Sequence, residues 1–131
     1  MGHRVLVVED DRVMARLEGS ALERAGIATL TAHTATQALD YAATEEFDLV
    51  VLDLFLPDGD GVAICSQIRA FNAVPVLMVS CLEDDYGQPL TGQTDGPHMF
   101  LAKPFSMHEF VERVRDLLGP SQPETDAQAD A

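Results

Sequence analysis

Along the first 119 residues, short apolar runs alternate with stretches whose apolar positions recur every three or four residues. Val5 to Val8 is a compact β-branched run that ends in acids, and Asp48 to Leu52 and Pro75 to Val79 repeat that form. Bounded apolar runs of this length suit strands covered on both faces of a parallel sheet. Ile27 to Ala32 is a weaker fourth candidate and Met99 to Ala102 a fifth.

Helical spacing fills the intervals. Val13, Met14, Leu17, Ala21 and Leu22 mark an apolar face, and Gly26 closes that helix. Thr36 to Thr44 carries Ala38, Leu39 and Ala42, and Gly61 to Ala70 carries Val62, Ile64, Cys65 and Ile68. In the last helix Ser106 and Glu109 form a capping box. Its face is Phe110, Val111, Val114, Leu117 and Leu118, and Gly119 ends it. Regular strand–helix alternation predicts a right-handed, doubly wound α/β domain.

Two segments depart from the pattern. Glu83 to Pro97, EDDYGQPLTGQTDGP, holds three glycines and two prolines where a fourth helix is due. An interior Pro costs a helix about 3 kcal/mol and each Gly about 1 kcal/mol, so this region is expected to be irregular. The tail from Pro120 to Ala131 lacks large apolar residues and is expected to be disordered, leaving a folded domain over residues 1–119.

Charge narrows the partners. Eight basic against 22 acidic side chains leave a net charge of −14, which repels nucleic-acid phosphates and anionic lipid. Direct nucleic-acid binding is therefore not expected. Cys65 and Cys81 are too few for a disulfide framework, and no segment reaches the ~18 apolar residues of a membrane span. The amino terminus passes directly into an apolar strand and lacks the form of a signal peptide. A cytoplasmic protein is the expectation.

In an open parallel sheet, ligands bind beyond the carboxyl ends of the strands. Glu9, Asp10 and Asp11 follow the first apolar run, Asp53 ends the third, Ser80 ends the fourth and Lys103 follows the fifth. Acids crowded at one edge repel unless a cation binds, and hard oxygen donors favour Mg²⁺. With the metal in place Asp53 could attack an incoming phosphoryl group, while Ser80 and Lys103 stabilise the transferring oxygens. Lys103 is the only lysine of the chain. The four histidines, His3, His33, His98 and His108, show no ligand spacing.

Four blocks, VLVVEDD (5–11), DLVVLDLFLPDGDG (48–61), PVLMVS (75–80) and FLAKPF (100–105), together resemble the signature of response-regulator receiver domains, over Arg4 to Leu118. The resemblance implies a flavodoxin-like five-stranded sheet of order 2-1-3-4-5 with helices on both faces. It implies Asp53 as phosphoacceptor, Asp10 as a direct Mg²⁺ ligand, Glu9 as a ligand acting through water, and the Phe55 backbone carbonyl as a further ligand. Asp11, just past the acidic pair, is a weaker candidate. Ser80 and Phe100 match the switch residues, Lys103 the phosphate-contacting cation, and Pro104 a proline usually joined by a cis bond that aims Lys103. Pro57 and Gly61 match the loop leading into the third helix.

The implied function is a switch that takes a phosphoryl group from a histidine kinase or histidine phosphotransfer protein and then engages a downstream protein. It would act as a monomer or weak dimer, without an output domain of its own, catalysing only its own phosphorylation and dephosphorylation. Cys81, Phe55 and Leu82 depart from the common residues around the acceptor, and the irregular fourth region puts the usual dimer face in doubt. That region also favours an alternative, a pseudo-receiver that binds partners without phosphorylation. An aspartyl-phosphate phosphatase would need a second acid where Phe55 stands.

Overall fold

The computed structural model describes residues 3–53, 55–56, 58–71, 73–80, 98–102 and 105–119. Five strands, β1 (Arg4–Val8), β2 (Ala28–Ala32), β3 (Leu49–Asp53), β6 (Val76–Ser80) and β7 (His98–Ala102), form one parallel sheet in the order β2-β1-β3-β6-β7. Helices α1 (Arg12–Arg24), α2 (Ala35–Thr44), α3 (Gly61–Phe71) and α4 (Met107–Leu118) connect or follow them. This is the doubly wound, flavodoxin-like arrangement. A feature absent from the sequence pattern is a two-residue antiparallel hairpin, β4 (Phe55–Leu56) with β5 (Gly59–Asp60), directly after the third strand.

Period-two alternation in the strands divides the core into two layers. Leu6, Val8, Val50, Leu52, Val76 and Met78 face α2 and α3, with Ala38, Ala42, Ile64, Cys65 and Ile68 packed on them. Val5, Val7, Leu49, Val51, Leu77, Val79 and Leu101 face the other way and are covered by Leu22 of α1 and by Phe110 and Val114 of α4. Every residue of β3 is buried, as a central strand covered on both faces requires.

The helix ends follow local chemistry. Asp11 caps α1, and Gly26 just past that helix takes a positive φ of 86°, a conformation that costs a residue without a Cβ little. Thr34 caps α2. The Ser106 hydroxyl accepts from the Glu109 N–H at 3.0 Å, so the hydroxyl half of the expected capping box is formed.

One expectation is corrected. The apolar spacing on α1 placed Val13, Met14, Leu17, Ala21 and Leu22 on a single inward face, yet Val13 and Leu17 are exposed and the buried stripe is Ala15, Glu18 and Leu22. Leu22 is common to both. The stripe that meets the sheet is set by how α1 lies between β2 and α4, and it carries a fully buried acid, Glu18. Smaller differences lie at the ends: α2 begins at Ala35 and α3 runs to Phe71. The segment 83–97 and the tail 120–131, expected to be irregular and disordered, lie outside the described residues.

Candidate functional site

The chain leaves β1 for β2 on one side, then returns through α2 to pair β3 with the other edge of β1. The strand order therefore reverses between β1 and β3, and a crevice opens at their carboxyl ends. Val8 lies opposite Leu52 in the parallel register, so the next row sets Glu9 beside Asp53. Glu9, Asp10 and Asp53 each place a carboxylate oxygen within 4.8 Å of the others. Glu9 and Asp53 are buried and Asp10 is exposed, so the cluster opens to solvent on the Asp10 side.

Two full charges at that separation repel by about 3–4 kcal/mol at an effective dielectric of about 20, before other groups are counted. Such a set is favourable with a divalent cation among it. Its donors are all hard oxygens and few in number, which suits Mg²⁺ with water completing its shell. The residues present fit the metal.

Asp11, the weaker candidate ligand, is spent elsewhere. Its Oδ1 accepts from the N–H groups of Val13 and Met14 at 3.0 and 3.2 Å, and its own N–H donates to Glu9 Oε2 at 3.2 Å. Asp11 thus starts α1 and steadies Glu9, and it stands outside the acidic cluster.

Two residues that spacing did not single out surround the site. The His33 ring places Nδ1 3.1 Å from the Glu9 carbonyl oxygen. Asp58, in the turn of the β4–β5 hairpin, accepts from the Ala35 N–H at 2.7 Å and from the Thr36 N–H and hydroxyl at 3.3 and 3.2 Å. The only sequence signal for Asp58 was its place in the turn-rich LPDGDG stretch, which marks a loop without naming a target.

Donation from the Ala35 N–H, above all, holds the Asp58 carboxyl below its ordinary value of 3.8. A depressed folded-state value means the contact contributes above that ordinary value and is lost as pH falls through the lower one. The Asp58 carboxyl carbon and the Ala35 amide proton should accordingly titrate together by NMR, with a midpoint below 3.8. A midpoint at or above it would refute the contact.

Of the other expected site residues, Ser80 ends β6 and Phe100 lies within β7, two strands that pair in register, but their side chains are outside the described set. Phe55 begins β4, two residues after Asp53. Lys103, Pro104, Pro57, Cys81 and Leu82 lie outside the described residues. Gly61 begins α3 as the loop pattern implied. Among the described residues no helix is long and apolar enough to cross a membrane.

Comparison with known proteins agrees with this geometry. The response regulator receiver domain family matches residues 5–115. The response regulator MprA of Mycobacterium avium is 34% identical over 126 residues, which is 96% of this chain and 55% of that protein. The chain thus spans about half the length of the curated relatives it matches, and their greater length leaves the expectation of a receiver acting alone without support. Among solved structures, the receiver domain of the Francisella response regulator 1452 superposes with a TM-score of 0.79 at 31% identity, covering 89% of this chain and 97% of that one. The receiver domain of the sensor histidine kinase PA1611 from Pseudomonas aeruginosa, solved with a magnesium ion in its active-site cleft, gives 0.78 at 26%, covering 92% of this chain and 100% of that one. Sequence, sheet order and acidic crevice converge: the chain belongs to the response regulator receiver domain family, the signalling switches of two-component systems.

Proposed function

We propose that this receiver is phosphorylated on Asp53 in a Mg²⁺-dependent reaction, with a histidine kinase or histidine phosphotransfer protein as donor. The observation that carries the reading is the convergence of Glu9, Asp10 and Asp53 within 4.8 Å at the strand-order reversal. The magnesium ion in the cleft of the PA1611 receiver domain supports the same use of the acids here.

Glu9, Asp10, Asp53 and the Phe55 backbone carbonyl would hold the metal, Glu9 through water. When bound, Mg²⁺ neutralises the acids and draws charge from the oxygens of the transferring group. Asp53 supplies the nucleophile: a carboxylate oxygen forms a bond to phosphorus as the bond to the donor's imidazole nitrogen breaks. The bonding pair leaves with that nitrogen, and the product is an acyl phosphate on a buried side chain. Burial at the end of β3 restricts the freedom of the carboxylate, and the cluster is open to solvent on the Asp10 side. Lys103, aimed by Pro104, would pair with the phosphoryl oxygens, and Ser80 and Phe100 would turn towards the modified site. An unidentified downstream protein would then recognise the altered surface.

Mg²⁺ is the discriminating reagent. At about 100 times its Kd it should add about 2.7 kcal/mol of stability, on the order of 10 °C in Tm for a domain this size. Asp10→Asn should remove most of that rise, since it deletes the exposed charge of the cluster. A melting temperature indifferent to Mg²⁺ would favour the pseudo-receiver alternative.

A further inference from the structure

Two sets of hydrogen bonds meet at the junction between β2 and α2, one from the acidic cluster and one from the hairpin after β3. The Glu9 N–H donates to the Ala32 carbonyl at 2.9 Å. The Glu9 carbonyl can only accept, so His33 Nδ1 carries the proton of the 3.1 Å bond between them. The His33 N–H donates to Gln37 Oε1 at 2.8 Å, and the Gln37 N–H to Thr34 Oγ1 at 3.1 Å. Ala35 and Thr36, in the same turn, donate to Asp58. Residues 32–37 thus grip the peptide of Glu9 at one end and the loop that follows Asp53 at the other.

Thr34 caps only the Gln37 N–H of α2, and Asp58 takes the Ala35 and Thr36 N–H groups that remain in the first turn, tying that helix end to a distant loop. Asp58 lies 23 residues from Ala35 and belongs to the hairpin that begins at Phe55. Leu56 of that hairpin is buried in the same apolar cluster as Ala35 and Ala38, so packing and hydrogen bonds hold the hairpin against α2 together.

We infer that the β2–α2 junction is a positioning strap for the cation site, with His33 and Asp58 as its clasps. The inference rests on the metal reading above and assigns neither residue a direct contact with the ion. Mg²⁺ demands oxygen donors near 2.0–2.1 Å in near-octahedral array, so the spacing between Glu9 and the Asp53 loop governs affinity. Groups hydrogen-bonded to the ligands themselves typically change metal affinity 10–100-fold when removed, and Asp58, which reaches them only through the strap, should act at the low end of that range.

Mg²⁺ titration of the full chain by calorimetry, with NMR of the backbone amides, tests the strap. In the unaltered protein, Mg²⁺ should shift the Ala35 and Thr36 amide resonances although neither residue belongs to the cluster. Asp58→Ala should weaken binding about tenfold. Asp58→Asn keeps one acceptor oxygen, enough for the 2.7 Å bond from Ala35 but not for the bonds from Thr36, and should retain part of the affinity. Leu22→Ala, a core truncation under α1, should lower stability and leave the affinity of the folded protein alone. Equal losses in the Asn and Ala variants would show that the bond from Ala35 does not hold the site and overturn the strap. So would unchanged affinity in a folded Asp58→Ala, or silent Ala35 and Thr36 amides where that variant does not fold. An unaltered chain that binds no Mg²⁺ overturns the metal reading, and the strap's role with it.

Discussion

Asp53→Asn should take up no phosphoryl group when incubated with Mg²⁺ and acetyl phosphate, whereas the unaltered chain should gain a single base-labile group. The substitution is close to isosteric at a position that is 5% exposed, so the β3 end should keep its shape. What changes is the nucleophile. An amide oxygen carries no full charge, and its attack on phosphorus would not yield a stable acyl phosphate. The electrostatics change too: one of three convergent carboxylates is lost, and Mg²⁺ should bind more weakly. Intact-protein mass spectrometry before and after mild base measures the outcome. Equal labelling of the Asn variant would place the acceptor elsewhere and remove the basis of the proposed reaction.

Phe110→Ala should cause the largest loss of stability, about 3–5 kcal/mol. Phe110 is fully buried in α4, and its ring stacks on Phe105 with centroids 5.7 Å apart and planes 23° from parallel. It joins α4 to a layer built from Val5, Val7, Leu49, Val51, Leu77 and Val79. Truncation removes the transfer free energy of a ring and leaves a cavity that a central sheet cannot collapse to fill. Set against a typical net stability of about 5–15 kcal/mol, that loss removes a large share of what holds the fold. Urea denaturation should show a lowered midpoint with little change in slope. Val111→Ala on the same helix, only half-buried, should cost far less. A Phe110→Ala midpoint close to that of the unaltered chain would mean that α4 is not held by this contact.

These expectations depend on the sequence to different degrees. The strands were legible because a strand covered on both faces is a short apolar run, a property of a few adjacent residues. The acids of the candidate site were legible for a related reason. Glu9 and Asp10 directly follow the first apolar run and Asp53 is the single acid that closes the third, and a parallel sheet gathers such strand ends at one edge. The last helix announced itself through Ser106, whose cap spans only three residues.

By itself, then, the sequence determined the type and order of the five main-sheet strands and the four described helices, though not the β4–β5 hairpin, together with the acidic character of the crevice and the identity of the residue at the end of the third strand. All of these follow from spacing within a run or from the charge of a few neighbours. Tertiary structure alone decided which side of α1 meets the sheet, placing Glu18 inside and Val13 and Leu17 outside. Helical periodicity marks a stripe but does not say which of two overlapping stripes meets the rest of the molecule. Tertiary structure also decided that Asp58 grips α2 and that His33 holds Glu9. Those contacts join residues 23 and 24 positions apart, on elements that meet only once the sheet has formed. No local pattern encodes such a pairing, because Asp58 and His33 are, in their own stretches of chain, ordinary polar residues beside a turn, and their partners are backbone groups that every residue carries.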